Sequence, residues 1–150
     1  MIDAIKLDAP VIIAANQSIE LKDQWFEQWI APDEFAVGWH NQSAPLGIPG
    51  NTVLNGHHNE FGEVFAKLVY LEEGDLIRVY SGSKSLWYEV SEMKVLNERE
   101  ASIETRLENA KWIGETSDER LTLVTCWPKR TNTHRLIVVA YPVDLKNSSK

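Results

Sequence analysis

Apolar and β-branched residues come along most of this chain in short runs, each closed by Gly, Asn, Asp, Ser or Pro. Six runs predict strands: VIIAA (11–15), NTVLNG (51–56), DLIRVYS (75–81), LWYEVSEMKVL (86–96), RLTLVT (120–125) and RLIVVAY (135–141). Strict alternation in the fourth places Trp87, Glu89, Ser91 and Met93 on one face, with Leu86, Tyr88, Val90 and Glu92 on the other. SGSKS (81–85) predicts a hairpin loop between two of them.

Helical spacing marks two other segments. In GEVFAKLVYLEEG (62–74), Phe65 and Leu68 recur with Leu71 or Glu72, and Gly74 suits a C-terminal stop. In SIETRLENAKWIG (102–114), Ile103, Leu107 and Ala110 form a stripe that Gly114 ends. SIELKDQWFEQWIAPDE (18–34) is ambiguous: Trp25, Trp29 and Ile30 fit a helical stripe, which Pro32 terminates. No internal repeat, low-complexity tract or linker divides the 150 residues, so they read as one domain. Many short strands with one or two short helices predict an all-β barrel or sandwich.

Charge narrows the partners. The net charge is −7, from 22 acidic and 15 basic residues, and no basic run exceeds Lys129-Arg130. Nucleic acid and anionic membranes select a basic face, so neither is an expected partner. The longest apolar stretch, LIVVAYPV (136–143), is strand length, far short of the roughly 20 residues of a membrane helix. MIDAIKLDAPVIIAAN lacks the basic start and long apolar core of a signal peptide. The chain reads either as cytoplasmic or as the soluble part of something longer.

The single cysteine, Cys126, excludes an intramolecular disulfide and a multi-cysteine metal site. It is either a buried inert thiol or a reactive one at the mouth of a loop. A free thiol ionises near pH 8.5, so a nucleophilic role requires a cationic neighbour. Candidates are His57, His58, Arg130, His134, Arg135 and, more remotely, His40. If the strands at 121–125 and 135–141 pair antiparallel, Cys126 and Arg135 share one end of the sheet. A lone edge arginine otherwise pairs with a carboxylate, and Arg130 reads as a solvated loop charge. Adjacent strand residues point to opposite faces, so at most one of His57 and His58 faces Cys126. The four histidines and the cysteine could supply zinc ligands, but no i, i+4 or Cys-x-x-Cys spacing organises them. No metal or cofactor is expected. Calcium stays open, because Glu98, Glu100 and Glu104 precede the cysteine strand, although a solvated face accounts for them.

NTVLNGHHN, VFAKLVYLEEGDLIRVY and LTLVTCWPKRTNTHRLIVVAYPV together resemble the sortases, cysteine transpeptidases of bacterial cell surfaces. The family pattern has a strand ending in Gly-His, then Phe-x-x-Leu leading to Gly-Asp. A Thr-Leu-x-Thr-Cys strand end follows, and an arginine opens the next strand. Here these are Gly56-His57, Phe65 and Leu68, Gly74-Asp75, Thr122 to Cys126, and Arg135. DAIKLDAPV (3–11) resembles the first strand pair, and 31–51 the Gly-Trp-His and Pro-Gly segment before the histidine strand.

The resemblance implies a closed β-barrel of about eight strands with one or two short helices. It implies Cys126 as nucleophile, His57 as general acid/base, and Arg135 as the group holding the substrate carbonyl and its oxyanion. Thr125 and Trp127 would contact the substrate, with ordinary packing the competing account of Trp127, and 97–119 would be the specificity loop. The substrates would be secreted proteins bearing a Leu-Pro-x-Thr-Gly-like sorting signal. The acceptor would be an amine of a cell-wall precursor or of a pilin. Sortases work outside the cytoplasmic membrane, tethered by an amino-terminal helix that is missing from these residues. Pilin-type members often carry Asp-Pro-Trp or Asp-Pro-Phe; APDEFAVGW has Pro-Asp instead, which favours a housekeeping-like or class D/E-like enzyme. A thiol hydrolase and a non-catalytic peptide-binding barrel are the rival readings.

Overall fold

A computed structural model describes residues 1–145; the last five residues of the single-domain reading lie outside the described residues. In chain order the strands are β1 (Val11–Ile13), β2 (Ala15–Leu21), β3 (Gln24–Ile30), β4 (Val37–Trp39), β5 (Gly50–Asn55), β6 (Leu76–Ser81), β7 (Lys84–Asn97), β8 (Glu119–Trp127) and β9 (His134–Pro142). One helix, α1 (Ile103–Ala110), lies between β7 and β8. Seven strands form one sheet in the order β1-β4-β5-β8-β9-β7-β6, and β2 and β3 form a separate hairpin. The expected mainly β fold is present as a curled half-barrel. The described sheet does not pair β1 with β6, which remain its two edges.

Alternation sorts each strand between two jobs. In the β8–β9 pair Leu121, Leu123 and Thr125 stand opposite Ala140, Val138 and Leu136. These residues face the core, together with Tyr88, Val90, Ile77, Val79 and Leu54. The opposite face carries Thr122, Val124 and Cys126, opposite Val139, Ile137 and Arg135. In the parallel β5–β8 pair Val53 and Asn55 join that outer face beside Thr122 and Val124. Burying each large aliphatic side chain on the core face contributes about 1.5–3 kcal/mol.

Several local expectations are corrected, and one ambiguity is resolved. The segment 62–74 is not an α-helix but a series of turns with a single 3-10 turn at Leu68–Tyr70. Phe65, Leu68 and Leu71 are nonetheless all buried, because an interval of three suits successive tight turns as well as a helix face. Positive φ at Phe61, Gly62 and Glu63 prevents a regular helix from starting there. The ambiguous segment 18–34 lies in the β2–β3 hairpin as far as Ile30, and the hairpin closes at Lys22 and Asp23 with φ of 49° and 63°. Two left-handed residues match the twist of a two-residue hairpin turn. Trp25 and Trp29 are four apart, a spacing that returns to the same face in a strand and in a helix alike. In β7 the register slips between Val90 and Glu92, and the extra residue moves Met93 onto the core face with Tyr88 and Val90.

At the amino terminus, 3–11 holds a single Ile2–Leu7 bridge around a 3-10 turn (Asp3–Ile5) instead of a strand pair. The expected strand at 11–15 ends at Ile13, and Ala15 already belongs to β2. The helix at 102–114 is present. Ser102 caps α1 by accepting from the Thr105 N–H at 3.1 Å, and a 3-10 turn at Lys111–Ile113 follows. Asn51 Nδ2 donates to the Trp112 and Gly114 carbonyls at 3.1 and 3.0 Å, and its Oδ1 accepts from Thr122 Oγ1 at 2.6 Å. A side chain on the outer face of the sheet thereby fixes the end of the helical segment over it.

Candidate active site

The parallel register of β5 and β8 sets the site. Asn55 lies opposite Val124. Beyond the strand end, the Gly56 N–H donates to the Val124 carbonyl at 3.2 Å, and Thr125 Oγ1 donates to the Gly56 carbonyl at 2.8 Å. His57 therefore leaves β5 alongside Cys126. Gly56 is required for this: a Cβ there would lie 2.7 Å from Val64 and 2.8 Å from Phe65, both in the core. Cys126 is the antiparallel cross-strand partner of Arg135. Three neighbouring strands thus deliver thiol, imidazole and guanidinium to one cleft of about 570 Å³.

The cleft has two walls. The β2–β3 hairpin supplies Ile19, Phe26 and Trp29, and α1 with its following turn supplies Ile103, Leu107 and Ile113. Its floor is Val124 and Ile137, with Leu96 beside them. Apolar walls around a few polar groups suit a peptide with apolar side chains.

His57 is half-buried. Its Nε2 lies 3.8 Å from Asp33 Oδ1 and its Nδ1 4.0 Å from Glu60 Oε2, so two exposed carboxylates flank any imidazolium formed there. The Phe61 ring packs at 5.1 Å. The Cys126 thiol is free and half-buried. Arg135 Nη1 donates to the His134 carbonyl at 3.2 Å. Among the described residues no carboxylate forms an ion pair with Arg135, which leaves guanidinium donors available to a ligand.

The other sequence candidates fall elsewhere. His58 is 3 % exposed, does not line the cleft, and packs edge-on against Trp127 at 5.4 Å. Burial lowers the pKa of His58. Trp127 is half-buried against the core, outside the cleft lining. Thr125 borders the cleft, but its hydroxyl is already committed to Gly56. His134 sits opposite Trp127, with Nδ1 at 2.7 Å from Thr133 Oγ1, and Arg130 is exposed. Glu98 pairs with Arg106 at 3.3 Å and accepts from Asn109 at 3.2 Å. No cluster of three or more His, Cys, Asp or Glu suited to a metal occurs among the described residues.

Two cleft residues carry no functional signal in the sequence: Asn55 is strand punctuation, and Trp29 lies in a segment whose spacing is ambiguous. His40, 4 % exposed, stacks on Trp29 with centroids 4.4 Å apart and planes 10° apart.

A thiol, an imidazole and a guanidinium lining one cleft are a set chemically suited to acyl transfer. The Sortase domain family matches residues 1–143. Sortase A of Listeria monocytogenes is 31% identical over 91 residues, which cover 60% of this chain and 37% of the relative, so the match spans well under half of that protein. The solved sortase C-1 of Actinomyces oris superposes with a TM-score of 0.63 at 29% identity, covering 73% of this chain and 59% of that one. A Clostridium perfringens Sortase D5 transpeptidase gives 0.59 at 26%, covering 73% and 62%. In fold alone, the structure of Listeria monocytogenes sortase A matches with a TM-score of 0.70 at 21% identity, covering 95% and 83%. With a family match that runs through all the strands of the sheet, the chain belongs to the sortase family.

Proposed function

We propose that this chain is a cysteine transpeptidase that cleaves a sorting-signal peptide and joins the new carboxyl end to an amine. The observation that carries the reading is the register: Cys126, His57 and Arg135 leave three adjacent strands into one cleft. The Cys126 thiolate attacks the carbonyl of a Leu-Pro-x-Thr-Gly-like signal at its threonine. Arg135, permanently charged and without a carboxylate partner among the described residues, offers its N–H donors to the developing oxyanion. The C–N bond breaks as His57 gives its proton to the departing amine, leaving a thioester on Cys126. An incoming amine attacks the thioester, His57 takes the amine's proton, and the thiolate departs as the new amide forms.

The acceptor would be a cell-wall precursor peptide or a lysine on another surface protein, and the place of action the outer face of a bacterial cytoplasmic membrane. No helix among the described residues is long and apolar enough to cross a membrane. A pilin-polymerising activity is the second reading, because a pilus-related sortase C of Group B Streptococcus matches with a TM-score of 0.61 at 25% identity.

Mass spectrometry after incubation with Leu-Pro-x-Thr-Gly-like peptides and triglycine tests the reading. The expected result is an acyl adduct on Cys126 and a product extended by the amine. Hydrolysed peptide with no amine product would reduce the function to a thiol hydrolase. Absence of any adduct, with Cys126 inert to alkylation in the folded protein, would overturn it in favour of a non-catalytic barrel.

A further inference from the structure

One end of the cleft holds two polar side chains that the proposed chemistry does not use. His40 is 4 % and Asn55 7 % exposed, and both line the cleft. His40 Nε2 and Asn55 Oδ1 are buried without a hydrogen-bond partner among the described residues. Neighbouring side chains on the same sheet are satisfied: Asn51 by two carbonyls and Thr122, and Thr125 by Gly56. Trp39 Nε1 and His58 Nδ1 are also unpartnered, but neither residue lines the cleft. A buried group left unpaired costs about 1–3 kcal/mol, so such groups in a cleft point to a ligand that pairs them.

The placement is built. The His40 N–H donates to the Val53 carbonyl at 2.9 Å, and Gly38 stands opposite Asn55 in the β4–β5 pair. His40 and Asn55 are therefore near neighbours on the outer face. Asn55 fits because position 38 is glycine: a Cβ there would collide with Asn55 Oδ1 and lie 2.9 Å from Ala14 and Pro32. Trp29 covers one face of the His40 ring.

We propose that His40 and Asn55 form an amide-binding subsite that takes the backbone N–H and C=O of one residue of a chain bound in the cleft. Both groups are neutral: burial holds the His40 pKa at about 4. A carboxylate or ammonium brought here would be desolvated beside two uncharged groups, a costly arrangement. Peptide groups are uncharged, and in an extended chain the N–H and C=O of one residue point to the same side. That N–H donates to Asn55 Oδ1, and that carbonyl accepts from His40 in the tautomer that carries hydrogen on Nε2. The proposal rests on reading the cleft as a peptide transferase's and adds how it grips the chain.

His40→Phe keeps a ring beneath Trp29 and removes both nitrogens; Asn55→Leu keeps the volume and removes the acceptor. Transfer kinetics with a Leu-Pro-Ala-Thr-Gly peptide and triglycine separate the two sources of the bound residue. The expected result is a KM raised by about threefold to tenfold for one of the two, with kcat within about twofold. A rise for the first peptide assigns the subsite to the acyl donor, and a rise for triglycine assigns it to the acceptor. Unchanged KM for both overturns the proposal. Should a variant fail to fold, the wild-type protein is measured with peptides N-methylated at one amide at a time. One position should lose affinity severalfold, and uniform tolerance overturns the subsite. If wild type never acylates Cys126, the catalytic reading fails at that point. The subsite is then judged by calorimetry of the same methylated series against the unreacted protein.

Discussion

His57 and His58 are adjacent in the chain, yet only one lies in the cleft with Cys126 and Arg135. His57→Ala removes the proposed proton carrier, and transfer should fall by at least about 100-fold, the usual scale of general acid–base catalysis. His58→Ala should leave transfer close to wild type while lowering the urea midpoint, since it removes a buried ring packed on Trp127 at a cost of about 2–4 kcal/mol. Swapped results would move the acid/base role by one residue. Arg135→Lys keeps the charge but loses the planar fork of donors, so kcat/KM should drop at least about tenfold with unchanged thermal unfolding. Wild-type turnover in that variant would sink the oxyanion role. Cys126, His57 and Arg135 were legible because each ends or opens a strand in a motif of fixed order. Asn55 was not, and His40 was only a remote candidate, because their interest lies in burial without a partner, which only the packed molecule creates.

At the scale of elements, the floor of the site was legible and its walls only partly so. The β8 and β9 strands announce themselves by alternation, and their antiparallel pairing puts Cys126 opposite Arg135. The β2–β3 wall was hidden, because an interval of four between Trp25 and Trp29 fits strand and helix alike. The opposite wall depends on Asn51, whose amide holds the turn after α1 and whose Oδ1 takes the Thr122 hydroxyl. Asn51→Ala leaves a buried hydroxyl and two carbonyls without that partner. It should cost about 2–4 kcal/mol of stability by urea denaturation and speed protease cleavage between residues 97 and 119. Cleavage at the wild-type rate would show that α1 is held by its other contacts.

For the whole molecule, acid is the revealing perturbation. His40 has a folded pKa of about 4 against an ordinary 6.5, with burial as its cause, and burial is also the largest cause lowering His58. Between those values the unfolded chain takes up a proton that the folded chain refuses, so stability is lost as pH falls. From pH 7 to 5.5, His40 alone should remove about 1 kcal/mol. Urea midpoints across that window should fall in the wild type and fall less in His40→Phe. Parallel lines for the two proteins would mean that His40 takes up its proton without unfolding.

The two-faced strands have an evolutionary consequence. On β8, every second residue packs into the core, and those between them contribute to the outer face that lines the cleft of the proposed chemistry. A saturation scan of β8 and β9 should therefore show two interleaved combs. One, running through Leu121, Leu123, Leu136 and Val138, would reject nearly every replacement through loss of folding. The other would tolerate change at half-buried Val124 and there alter which peptides the proposed transferase accepts, while Ile137, 2 % exposed, would accept only replacements of similar volume. A lineage could retune its substrate along the second comb while the first stayed fixed, and the scaffold would outlast many changes of client.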